Sequence, residues 1–122
     1  MRYFRIPQHV SIANADGSAV LGPDGEPASL RFVEVIGSTV ANDAKFGKSV
    51  QGLRVSCNLI KAISGRNPGE IVSLSDSDWE LVRDATESPS APYSTAVARQ
   101  ALSFWDAILE AKTDAAKLEP FS

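Results

Sequence analysis

The chain has 122 residues, 43% of them hydrophobic, and a net charge of −3 at neutral pH. That length supports one domain with its own core and is too short for two, and the acidic balance argues against nucleic acid as a principal partner. The single cysteine, Cys57, excludes an internal disulfide, and no stretch reaches the roughly 20 apolar residues that cross a bilayer.

Tyr3-Phe4-Arg5-Ile6 and His9-Val10-Ser11-Ile12 are predicted as short strands. Asp16-Gly17 follows the second as a turn signal, with Ala19-Val20-Leu21 as the returning hairpin partner. Gly22-Pro23-Asp24-Gly25-Glu26-Pro27 is a further turn, too dense in Gly and Pro for regular structure. Everything before Pro27 therefore reads as a small hairpin or meander.

From Ser29 the period changes. Phe32, Val33, Ile36 and Val40 recur at helical spacing with Ser29 as N-cap, and a helix is favoured over a strand despite the β-branched content. After Asn42-Asp43, a longer helix is expected with Phe46, Val50, Leu53, Cys57 and Ile60 on its inner face, ending near Gly65. Lys48, Arg54 and Lys61 fall mainly off that face. Cys57 is expected to fill the core and His9 to lie on the surface of a strand.

Asn67-Pro68-Gly69 turns the chain into a strand-like Ile71-Val72-Ser73-Leu74, and Ser75-Asp76-Ser77-Asp78-Trp79 then starts a helix over 76–86. Here the Ser75 hydroxyl can accept from the residue 78 N–H, and the Asp78 carboxylate can reach back to Ser75. Leu74 can pack on Trp79 as a staple. Ser94 opens a last helix with Val97, Ala101, Phe104, Trp105 and Ile108 inside. Residues 1–112 are thus expected to form one globular unit and 113–122 a flexible tail.

Chemical motifs fail on their own requirements. Phe46-Gly47-Lys48-Ser49 lacks the earlier glycine and the buried strand of a phosphate-binding loop, so Gly47 and Ser49 read as a loop and a helix cap. Asp76, Asp78, Glu80 and Glu87 imitate a calcium loop, but Leu81 occupies the position that must be glycine, and the helix dipole accounts for the acids better. His9 is the sole histidine, which excludes a multi-histidine metal site within one chain. Neither a cofactor, a metal nor an enzymatic activity is expected.

Interaction is the better expectation. Lys48, Arg54 and Lys61 belong to a basic stripe along the long helix, while Trp79, Trp105 and Phe121 are aromatic anchors of the kind that concentrate at interfaces. Residues 1–70 hold eight Lys/Arg against six Asp/Glu, and residues 71–122 hold four against nine, so the halves carry +2 and −5. Such polarity can orient head-to-tail association.

The succession Phe32, Asn42-Asp43, Phe46-Gly47-Lys48-Ser49, Gly52-Leu53, then Leu74 to Val82, then Phe104-Trp105-Asp106-Ala107-Ile108 resembles small accessory proteins of tailed bacteriophages. The resemblance spans residues 30 to 110 and omits the N-terminal hairpin. It implies a component or assembly factor of the phage particle, with no catalytic residues to carry over. The expected fold is α+β, an N-terminal β-hairpin region followed by three or four packed helices. The expected partners are further copies of the chain or larger phage particle proteins, in the host cytoplasm or the virion. The alternative is a small inhibitor or regulator that binds a host protein or nucleic-acid complex.

Overall fold

Residues 1–14, 16–89 and 93–114 are described by a computed structural model. The outermost pairing joins distant parts of the sequence: β1 (Arg2–Arg5) lies antiparallel to β4 (Ile71–Leu74), with Phe4 opposite Val72 and Arg2 opposite Leu74. Phe4, Val72 and Leu74 alternate onto the inner face and are buried. Lys112 extends this pairing on the far edge of β1, exchanging both backbone hydrogen bonds with Tyr3 at 2.7 and 2.9 Å. The two ends of the described chain are thereby tied together.

Between them, β2 (Val10–Ser11) pairs antiparallel with β3 (Ser29–Leu30), not with the 19–21 segment. The expected return of 19–21 survives as single bridges, Ala13 to Ala19 and Leu21 to Pro27. Gly17 and Gly25 take the positive φ that the two tight turns demand. Three segments then meet in a closed ring of backbone bonds. Ile12 N–H donates to Ala28 O, Ala28 N–H to Val20 O and Val20 N–H to Ile12 O, at 2.7 to 3.0 Å. The ring satisfies backbone groups that a flat hairpin of this length would leave open.

The α+β expectation holds, with six helices among the described residues. α1 (Phe32–Asn42) buries Phe32, Val35, Ile36, Thr39 and Val40, so packing overrides its β-branched content. Ser29 is not its cap: it is committed to β3, and Arg31 occupies the cap position without a side-chain bond. A single turn, α2 (Ala44–Gly47), starts at Asp43, whose carboxylate accepts from Lys45 N–H.

α3 (Val50–Ile63) begins at Ser49, whose hydroxyl accepts from Gly52 N–H at 3.0 Å, as expected of that serine. Its buried face carries Gly52, Val55, Leu59 and Ile63, which corrects the expected face of Val50, Leu53, Cys57 and Ile60. The expected face was phased from Phe46, but Phe46 belongs to α2 and the break at Lys48-Ser49 resets the phase. Cys57 is accordingly exposed and not a core filler.

α4 (Asp76–Glu87) starts as its sequence dictates, with Ser75 Oγ accepting from Asp78 N–H at 3.2 Å. The reciprocal half of the box is replaced, because the Asp78 carboxylate accepts from Asn58 Nδ2 on α3. The expected last helix is two, α5 (Thr95–Gln100) and α6 (Leu102–Leu109), broken at buried Ala101. Phe32 bridges Phe4 and Phe104, at 5.9 Å to each and edge-on to the second. The sheet, α1 and α6 share this aromatic spine.

Candidate interaction face

Both tryptophans lie in the core at 5% exposure, which removes them as surface anchors. Each has its N–H satisfied internally, as a buried indole requires: Trp79 Nε1 donates to Ile108 O and Trp105 Nε1 to Thr39 Oγ1, both at 2.9 Å. Trp79 is also covered by cations, with the Arg2 guanidinium 4.1 Å and that of Arg83 5.1 Å from the ring centroid. Phe121 lies outside the described residues, as does most of the expected tail.

The three cations fare differently. Lys48, Arg54 and Lys61 are all exposed, and among the described residues none of their side chains has a hydrogen-bond or ion-pair partner. Arg54 and Lys61 border a shallow depression of about 340 Å³ on α3, with Val50, Leu53, Cys57 and Asn58. The apolar residues recur at spacings of three and four and so form one stripe on the helix. Val50 is 65% and Leu53 53% exposed, against complete burial of Leu59 on the opposite side. α3 is therefore apolar on two faces, one packed in the core and one turned to solvent beside two cations.

Gly52 decides which face goes inward. A Cβ there would stand 3.0 Å from Lys45 O, Phe46 Cα and Phe46 O, so only glycine lets α3 approach the backbone of α2. That glycine is the signal by which the sequence marks the inner face, and Val50, Leu53 and Cys57 as the outer one.

An acidic stripe lies on the neighbouring helix. Glu80, Asp84 and Glu87 are exposed along α4 at spacings of four and three. Arg83 pairs with Asp84 at 3.3 Å and with Glu87 at 3.9 Å, leaving Glu80 with no cationic partner among the described residues. Of the acids that imitate a calcium loop, Asp76 pairs with the N-terminal ammonium at 3.1 Å, Asp78 accepts from Asn58 and Glu87 faces Arg83. Among the described residues no group of three or more His, Cys, Asp or Glu is placed to hold a metal ion, and no helix is long and apolar enough to cross a membrane.

No protein-family model, curated protein or solved structure matches the chain.

Proposed function

We propose that this is a non-enzymatic protein that works by self-association, with the outer face of α3 as its contact surface. The observation that carries the reading is the exposed stripe of Val50, Leu53 and Cys57 with unpaired Arg54 and Lys61 beside it. Fully burying a Val or Leu side chain contributes about 1.5–3 kcal/mol. Two such residues and a cysteine offset only part of the cost of association, about 4–15 kcal/mol, so the contact is reversible and needs its charges.

Charge complementarity selects a second copy as the occupant. The cations beside the stripe face outward without partners, while α4 of the same chain presents the acidic row headed by Glu80. A second copy brings that row against Arg54 and Lys61 and covers the apolar stripe. The resemblance to accessory proteins of tailed phages gives this association a setting, as a structural or assembly component in the host cytoplasm or the virion.

Cys57 reports on the contact directly, because it is the sole cysteine and sits within the stripe. Its rate of maleimide labelling is expected to fall as protein concentration rises and to recover at high salt. A labelling rate independent of protein concentration contradicts the reading.

A further inference from the structure

A second cleft, on another part of the molecule, has the chemistry of an oxyanion site. It encloses about 230 Å³ where the segment from Ile6 to His9, the start of α1 and the turn after α3 meet. His9, Arg31 and Arg66 line it, with Phe32 and Ile63 among its apolar wall residues, and no Asp or Glu is among the lining residues. In a chain of net charge −3, this is a concentration of positive charge with no anionic counterpart in the cleft.

The walls are held by the backbone. Ile6 N–H donates to Glu70 O at 2.9 Å and Gly69 N–H to Ile6 O at 2.8 Å, which fixes the strand end against the turn. The nearby Glu70 carboxylate is engaged in accepting from Asn67 N–H at 2.7 Å. Arg66 Nε donates to Ala62 O at 3.3 Å, which anchors that guanidinium by one edge and leaves its Nη groups for another acceptor. The side chains of Arg31 and His9 have no hydrogen-bond or ion-pair partner among the described residues. Two guanidiniums lining one cavity repel each other, and an anion placed between them reverses the sign of that interaction.

We propose that this cleft binds a phosphate-type oxyanion, either inorganic phosphate or a phosphomonoester. Arginine is the side chain suited to such a group, because its planar fork can give two parallel hydrogen bonds to adjacent phosphate oxygens. With a water occupying about 30 Å³ in the liquid, the cavity accommodates a tetrahedral oxyanion together with several waters or a small substituent. Val33 and Pro68, the apolar lining residues that are only partly buried, would receive that substituent.

His9, as the sole histidine, gives isolated ring-proton NMR signals at the site. The experiment titrates the full chain with inorganic phosphate and, separately, with phenyl phosphate, at fixed pH and with sodium chloride holding ionic strength constant. The His9 signals are expected to move along a saturating curve. Arg31→Ala and Arg66→Ala should each weaken the midpoint by about tenfold, the scale of one charge-assisted hydrogen bond lost. A tighter midpoint for phenyl phosphate assigns the cleft to a phosphomonoester, and equal midpoints assign it to the free ion. Shifts that stay linear with concentration, or that are unchanged in both variants while far-UV circular dichroism shows them folded, overturn the proposal. Neither result depends on self-association through α3.

Discussion

The Trp105 indole N–H donates to the Thr39 hydroxyl at 2.9 Å, and the same hydroxyl donates to Val35 O one turn earlier on α1. A threonine that bonds only its own helix is a weak local feature, but here it is also the acceptor that lets an indole be buried. Thr39→Val removes the acceptor with little change of shape and leaves the N–H unsatisfied. The expected cost is about 1–3 kcal/mol. Thr39→Ser should retain the bond and lose less. In Thr39→Val combined with Trp105→Phe the losses should not add, because the first has already removed the partner of the second. Urea unfolding followed by circular dichroism measures the wild type, the two Thr39 variants, Trp105→Phe and the double variant.

Gln100 holds the N-terminal loops to the helices. Its Oε1 accepts from Ala13 N–H at 2.8 Å and its Nε2 donates to Ala13 O at 3.0 Å, so the side-chain amide pairs with the backbone as a strand would. Gln100→Ala should speed amide exchange at Ala13 and at the neighbouring ring of Ile12, Val20 and Ala28 more than in α3. Gln100→Glu keeps the acceptor but loses the donor and should fall between the two. Uniform acceleration across the whole chain would show that the clamp acts on global stability alone.

Two glycines only five residues apart should respond oppositely to alanine. Gly52→Ala places a Cβ against three backbone atoms that cannot swing away, and overpacking of that kind costs about 1–3 kcal/mol. Gly47 has nothing within 4 Å of an added Cβ and no positive φ. Gly47→Ala is expected to be stabilising by about 0.4–1 kcal/mol, through loss of freedom in the unfolded chain. Thermal unfolding midpoints that move in the same direction for both would contradict the close approach of α3 to α2.

Where local chemistry decides structure, the sequence was readable. Ser49, Ser75 and Ser94 each cap the helix assigned to them, and Gly17 and Gly25 sit in the turns their neighbours announce. Where distant segments decide, it was not. The pairing of β1 with β4 joins strands whose residues lie about seventy positions apart, and short strands carry no mark of their partner. The two faces of α3 are both apolar at helical spacing, so periodicity alone could not orient it; the orientation is set by Gly52 against α2. The tryptophans looked like anchors because buried and interfacial indoles share one composition, and only the acceptors at Ile108 O and Thr39 Oγ1 separate the cases. Lys48, Arg54 and Lys61 were legible as an exposed basic set, while the stripe that Arg54 and Lys61 border was hidden by its own hydrophobicity.

Asp16 gives the first hairpin a pH dependence of known sign. The Ser18 hydroxyl donates to its carboxylate at 2.6 Å and the Ser18 N–H at 3.0 Å, and these bonds hold its pKa below the ordinary carboxylate value. Both bonds favour the charged form, so their contribution is present above the unfolded-chain pKa and is lost as pH falls through the lower folded value. The carboxyl carbon of Asp16 should therefore titrate by NMR below an unstructured aspartate. In Ser18→Ala its midpoint should move up, because the larger of the two bonds is gone. An unchanged midpoint would assign the shift to the backbone bond alone.

The central claim is that the outer face of α3 holds copies of the chain together, and absolute mass by light scattering on a sizing column tests it most directly. The protein as it stands should show a discrete oligomer whose population rises with concentration and falls with salt, as screening of Arg54, Lys61 and the acids of α4 requires. Leu53→Asp, at a side chain 53% exposed in the single chain, should run as a folded 13.0 kDa monomer under the same conditions. A wild-type chain that stays monomeric at every concentration, or a Leu53→Asp variant that assembles as the wild type does, contradicts the account.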